Sequence, residues 1–156
     1  MYVSDEWTIE KALRKGAVME QEAYTFYTEH AKKANYPGAK KLLMELAAEE
    51  KTHLEKFLNA LTNPKDLEIT NIDEDIPDLQ ITDYLVEVSL GPESEYQQIL
   101  IYAAQDEKRA HDFYMKIALK YKGTLLGEML NSFAKDELRH KYKLEREYDE
   151  AVLREM

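Results

Sequence analysis

Two nine-residue stretches, MEQEAYTFY from Met19 to Tyr27 and DEKRAHDFY from Asp106 to Tyr114, carry Glu, Ala, Phe and Tyr at the same places. The interval from Glu20 to Glu107 is 87 positions, and it also carries Ala47 to Ala134, Glu50 to Glu137 and His53 to His140 without a gap. A chain that repeats itself at a fixed interval builds one supersecondary unit twice and buries the copies against each other. That constraint comes before any other.

The repeated unit is a helical hairpin. From about Ile9 to Ala34, the residues Leu13, Ala17, Glu20, Tyr24, Tyr27 and Ala31 recur at steps of three and four, which is the spacing of a bundle seam. Asn35, Pro37 and Gly38 break the pattern, and a second helix is predicted from about Lys40 to Leu61, ended by Asn63 and Pro64. A third begins near Ser94, with Leu100, Ala104, Glu107, His111, Tyr114 and Ala118 on its seam. A turn at Gly123 leads to a fourth, from about Thr124 to Arg154, with Leu130, Phe133, Glu137, His140 and Leu144 on one face. The segment from Pro64 to Pro92 is loop-like, contains the acidic run 73 to 75, and has room for a short helix or strand in ITDYLVEVSL. The prediction is an all-α, single-domain chain over residues 1–156: hairpin one at about 5–63, a long crossover at about 64–92 and hairpin two at about 93–155.

Every seam is interrupted by charge or imidazole. Each half supplies one Glu on its first helix and a Glu-x-x-His on its second, and residues three apart are neighbours on a helix face. Packing the hairpins together therefore converges Glu20, Glu50, His53, Glu107, Glu137 and His140. Four carboxylates in a water-poor core repel one another, and each unpaired buried charge costs several kcal/mol even after relaxation. Protons or metal ions must neutralise them. Two divalent ions balance four carboxylates, and an oxygen and imidazole donor set suits iron or manganese, and zinc less exclusively. Symmetry assigns Glu50 and Glu137 as bridges, with Glu20 and His53 at one ion and Glu107 and His140 at the other.

Composition narrows the partners. With 31 acidic against 21 basic residues the formal charge is -10, which disfavours nucleic acid and anionic membrane. The uncharged runs are too short to span a bilayer, and MYVSDEWTIEKALRK lacks the apolar core of a signal peptide, so a cytoplasmic location is expected. The chain has no cysteine, so thiolate sites and disulfides are excluded and any metal is held by Glu, Asp and His.

Neighbouring residues carry weaker signals. Tyr27 and Tyr114 lie two turns beyond Glu20 and Glu107, where a hydroxyl can orient a ligand carboxylate or simply fill the core. His111, equivalent to Tyr24, is expected to pack rather than to relay protons. Glu49 and Asp136 are turned about 100 degrees away from the bridging pair, which points them toward solvent or another subunit. His30 has no Glu three residues before it, and the acidic run at 73–75 reads as a solvated loop; neither is expected in the site.

The combination of Glu20 with AYTFY and LAAEEKTH, repeated as Glu107 with AHDFY and FAKDELRH, resembles the rubrerythrin-like branch of the ferritin-like superfamily over nearly the whole chain. The resemblance implies a four-helix bundle with one long crossover, two iron ions per site, and a homodimer, in some relatives with exchanged helices. It also implies oxidoreductase chemistry: reduction of hydrogen peroxide, or oxidation of ferrous iron by dioxygen. Two departures matter. Rubrerythrins proper carry a cysteine-bearing rubredoxin-like domain, so electrons here are expected from a separate donor protein such as a rubredoxin. They also place an extra carboxylate on the third helix, where this chain has Ala103 and Ala104, leaving six ligands. An iron-binding or storage protein, a di-iron oxygenase acting on an organic substrate, and a metal-free interaction module are the alternative readings.

Overall fold

The computed structural model describes residues 7–76, 90 and 95–154. Four helices account for most of them: α1 (Ile9–Lys33), α2 (Pro37–Thr62), α3 (Tyr96–Lys120) and α4 (Leu125–Arg154), with a 3-10 turn at Pro64–Leu67. Among the described residues the extended structure is one isolated antiparallel bridge between Thr8 and Asp75. α1 packs along α2 and α3 along α4, which are the two predicted hairpins. The ITDYLVEVSL segment lies outside the described residues apart from Leu90.

The helix ends show where local chemistry decides. α2 begins at Pro37, three residues before the expected start, because proline at the first helical position gives up only an N–H that has no helical partner anyway. α3 begins at Tyr96 rather than Ser94: the Glu95 N–H donates to Gln98 Oε1 at 3.0 Å, which fixes the cap one residue later. At the start of α4, Thr124 Oγ1 accepts the Gly127 N–H at 3.1 Å.

The start of α1 is capped in a way no local pattern announces. Thr8 Oγ1 accepts from the Lys11 N–H, while the Ile9 and Glu10 N–H groups donate to the carbonyls of Glu74 and Ile72 at 3.0 and 2.8 Å. The acidic run keeps its side chains exposed, as a solvated loop should, but its backbone folds over the helix end and satisfies otherwise free donors.

The core falls into two apolar clusters. One, around Leu13, Phe57, Phe113, Tyr114 and Phe133, fills one end of the bundle. The other, around Tyr27, Leu43, Leu46, Leu100 and Leu144, fills the opposite end. Glu20, Glu50, His53, Glu107, Glu137 and His140 form a polar layer between them, each no more than 3% exposed, and they are the buried polar or charged side chains of the described residues.

Two glycines test this packing. A Cβ on Gly127 would sit 2.2 Å from the Tyr121 carbonyl oxygen, a backbone atom with little freedom to withdraw, whereas nothing lies within 4 Å of one on Gly38. Gly127→Ala should destabilise by about 1–3 kcal/mol, and Gly38→Ala should leave stability unchanged or raise it by up to about 1 kcal/mol. Thermal denaturation of the two variants checks both directions.

Candidate metal centre

Each of the six predicted residues comes from the expected helix: Glu20 from α1, Glu50 and His53 from α2, Glu107 from α3, Glu137 and His140 from α4. They form two overlapping groups. Donor atoms of Glu20, Glu50, His53 and Glu137 lie within 4.8 Å of one another, and so do those of Glu50, Glu107, Glu137 and His140. Glu50 and Glu137 belong to both, the positions symmetry assigns to bridging ligands.

The imidazoles point the same way in both halves. His53 Nδ1 lies 3.4 Å from Glu20 and 3.2 Å from Glu137; His140 Nδ1 lies 3.0 Å from Glu50 and 3.5 Å from Glu107. Close as these approaches are, neither Nδ1 has hydrogen-bond geometry to a carboxylate. Glu20 Oε2, Glu50 Oε1, Glu107 Oε2 and Glu137 Oε1 are likewise buried without a hydrogen-bond partner. One buried atom on each of six residues lacks a hydrogen bond, and the donor atoms of these residues cluster in two overlapping groups, a geometry that cations can satisfy. Buried polar atoms are otherwise almost always paired.

The second ring nitrogen of each histidine and one oxygen each of Glu20 and Glu107 are held. The Tyr27 hydroxyl donates to Glu107 Oε1 at 2.5 Å, and the Tyr114 hydroxyl to Glu20 Oε1 at 2.6 Å. Each tyrosine therefore serves the glutamate of the other half, not the one two turns away on its own helix. His53 Nε2 donates to Asp136 Oδ2 at 2.9 Å, and His140 Nε2 to Glu49 Oε2 at 3.0 Å. Glu49 and Asp136 keep part of their surface in solvent, as their sequence position suggested, but each also reaches an imidazole of the layer. Their rotation away from the bridging pair points them along the α2–α4 contact, where each reaches the imidazole of the opposite helix. Carboxylate acceptors put the ring proton on Nε2 and leave Nδ1 as the ligand atom.

One cation ties the two acids together. Arg139 donates to Asp136 at 3.0 Å and to Glu49 at 2.7 Å. Its counterpart in hairpin one is Thr52, so a single guanidinium serves both halves. The sequence held a signal for this network: an acid immediately before each Glu of the Glu-x-x-His motif, in both repeats. His111 lies apart, partly exposed and bonded to Asp112 at 3.0 Å, so it does not fill the core. His30 also stands outside the cluster.

The fields are those of a site with too much negative charge. Burial, then the charges of Glu107 and Glu20, push Glu50 well above the usual carboxylate value, and burial with Glu107, Glu50 and Glu20 does the same to Glu137. Burial alone would lower both histidines, but Glu20 and then Asp136 outweigh it at His53, and Glu107 and Glu50 carry His140 up to about 11. Burial followed by Glu107 raises Tyr27, and burial followed by Glu20 raises Tyr114, so both phenols stay protonated donors. Burial acts to raise Glu49 and Asp136, yet the histidines and Arg139 hold both below their usual values.

Two hairpins close a four-helix bundle around four carboxylates and two imidazoles, a donor set that could hold a pair of metal ions. The rubrerythrin family model matches residues 2–61, which span the first hairpin. A crystal structure from Thermotoga maritima, described as a ferritin-like diiron-carboxylate protein, superposes with a TM-score of 0.74 at 18% identity, covering 96% of this chain and 99% of that one. No protein of curated function matches the chain. The family model matches less than half of the chain, and the structural likeness shows a ferritin-like four-helix fold. Ala103 and Ala104 are both buried in the cluster around Tyr27, Leu43 and Leu144. Among the described residues no helix is long and apolar enough to cross a membrane.

The proton-holding groups set a pH dependence for the metal-free protein. Glu50, Glu137, His53 and His140 bind protons more tightly folded than unfolded, so the stability they contribute is complete below their unfolded values and is lost as pH rises through the folded ones. Glu49 and Asp136 are shifted down, and their contribution is complete above the usual carboxylate range. In chelator, the Tm should therefore fall as pH rises from about 4.5 toward 11. A Tm that climbs over that range would contradict the picture of a proton-neutralised layer.

Proposed function

We propose that this protein is a di-iron carboxylate oxidoreductase that reduces hydrogen peroxide or oxidises ferrous iron with dioxygen. The observation that carries the reading is the set of six buried donor atoms without hydrogen bonds, one on each of Glu20, Glu50, His53, Glu107, Glu137 and His140. Two bound ferrous ions would supply together the two electrons that, with two protons, convert one peroxide to two waters.

The surrounding residues do the rest of the work. Tyr27 and Tyr114 each hold one oxygen of Glu107 and Glu20, and the other oxygen of each carboxylate has no hydrogen bond. Asp136 and Glu49 fix the imidazole planes and the tautomer, and Arg139 holds both acids in place. The Phe133 ring stacks on His53 at 4.1 Å between centroids, walling one side of the layer with apolar surface. Glu50 and Glu137 are raised well above the usual carboxylate value and ligation needs the carboxylate, so metal binding would be coupled to proton release. Electrons return from a separate donor, a rubredoxin being the kind of protein expected.

Anaerobic titration with ferrous iron should show two tight equivalents per chain, with protons released to the medium. Glu50→Ala should remove both equivalents and the peroxide or dioxygen reaction while the helical circular dichroism persists. Zero equivalents in the parent protein would overturn the reading and leave a metal-free bundle. A second prediction concerns the outer acids: Asp136→Asn should weaken iron binding by about 10–100-fold, measured by competition with a chelator, without abolishing it.

A further inference from the structure

The repeat makes each hairpin a control for the other, and it places two matching hollows along the α2–α4 edge. The first, about 310 Å³, is lined by Lys56, Asn59, Leu67, Met129, Ser132 and Phe133. The second, about 190 Å³, is lined by Leu42, Lys143, Arg146, Glu147 and Glu150. The interval of 87 positions carries Lys56 to Lys143, Asn59 to Arg146 and Leu42 to Met129, so the two are copies of one feature. They differ in what lies beneath them.

Phe133 is the buried residue of the first hollow, 2% exposed. Its ring stacks on the His53 imidazole with centroids 4.1 Å apart, and it stands one helical turn before Glu137 on α4. His53 and Glu137 belong to the same group of candidate ligands, with Glu20 and Glu50. A single ring thus touches both the hollow and the ligand layer. In the other half the position of Phe133 belongs to Leu46, fully buried, and the lining of the second hollow stops one turn short of it at Leu42. Glu147, at the place of Ala60, lines that hollow and is held there by the Tyr96 hydroxyl at 3.2 Å and by Arg154 at 2.8 Å.

Charge and size sort what can use the first hollow. Its lining has one ionisable side chain, Lys56, exposed and with Nζ 5.8 Å from the Phe133 centroid. A ferrous ion meets its own sign of charge at this mouth, whereas a neutral oxidant does not. The hollow far exceeds the ~15 Å³ that one water molecule requires, so the ring beneath it, not the hollow, limits what passes. A larger groove, about 680 Å³ between α3 and α4, lies over Leu100, Ala104 and Leu144, none of which puts a ring or a polar side-chain atom against the layer.

We propose that Phe133 is the size-selecting residue at the entrance to the centre: a small oxidant such as hydrogen peroxide comes in from the α2–α4 hollow at the Phe133–His53 contact, and the equivalent path in the other half is closed. The proposal rests on the di-iron reading above. Any hydroperoxide takes the same two electrons from two ferrous ions, with two protons; hydrogen peroxide gives two waters, and an organic hydroperoxide gives an alcohol and one water. The chemistry is common to both, and access separates them.

The test uses exposed positions that leave the core alone. Ser132→Trp fills the first hollow, Glu45→Trp is its counterpart at the second, and Ile101→Trp enters the α3–α4 groove. In anaerobic stopped-flow on the diferrous protein, Ser132→Trp should slow the reaction with hydrogen peroxide at least about tenfold, and the other two should leave it within about twofold. Azide binding to the cobalt-loaded protein, followed by its visible spectrum, reads access without turnover and should slow in Ser132→Trp alone. Phe133→Leu, the residue hairpin one carries at this place, should raise the rate with cumene hydroperoxide relative to hydrogen peroxide at least about tenfold, with helical circular dichroism and metal stoichiometry unchanged. Ser132→Trp without effect on either readout, equal slowing by Glu45→Trp or Ile101→Trp, or an unchanged hydroperoxide ratio in Phe133→Leu would each overturn the proposal. A parent protein that binds no metal would overturn both readings. Azide access blocked by Ser132→Trp in a protein that does not react with peroxide would remove the oxidoreductase assignment and leave the entrance standing.

Discussion

The structure is organised by the need to neutralise four carboxylates placed where water does not reach. Hydrophobic burial alone would close the bundle with one continuous core. Instead the polar layer splits the apolar interior into two clusters, and each surrounding feature answers part of the electrostatic problem. Tyr27 and Tyr114 take one oxygen each from Glu107 and Glu20. Burial and mutual repulsion keep protons on Glu50 and Glu137. Carboxylates on the inside and acids on the outside raise both histidines above the usual imidazole value. What remains unsatisfied is one atom per ligand, and bound cations can satisfy all six together.

Much of this was legible in the sequence because it repeats. A single Glu-x-x-His on a helix is ordinary; two copies at one interval, each on a seam and each joined by a seam glutamate, specify a layer. The seam spacings also delimited the helices to within a few residues, and the differences have local causes, proline tolerance at the start of α2 and the Glu95 cap at α3. The acids outside the site were not legible. Whether Glu49 faces solvent or the imidazole of His140 depends on how the two hairpins are rotated against each other, which the periodicity of one helix does not encode. The same holds for the tyrosines, whose partners lie 80 and 94 residues away on the opposite hairpin. The backbone cap that Ile72 and Glu74 place on α1 is a third example, since carbonyls carry no sequence signature.

Inside the bundle the two halves are near copies; outside they have diverged. Arg139 stands opposite Thr52, His111 opposite Tyr24 and Asn59 opposite Arg146. The ligands and the residues bonded to them are constrained by ligand geometry in both halves. Those one face away answer to different neighbours, and this is where one half can gain a role the other lacks.

The crossed tyrosine bonds have a consequence for how such a chain can be assembled. A lone hairpin with this plan holds a glutamate whose phenol donor is on another hairpin, and an imidazole whose acid is on another hairpin. It reaches a complete centre only by pairing with a second copy. Joining two hairpins through a crossover makes that pairing intramolecular, replacing a dependence on protein concentration by an effective concentration set by the tether. Duplication and fusion would then remove a concentration threshold for assembling the centre, while freeing each half to change on the side facing outward.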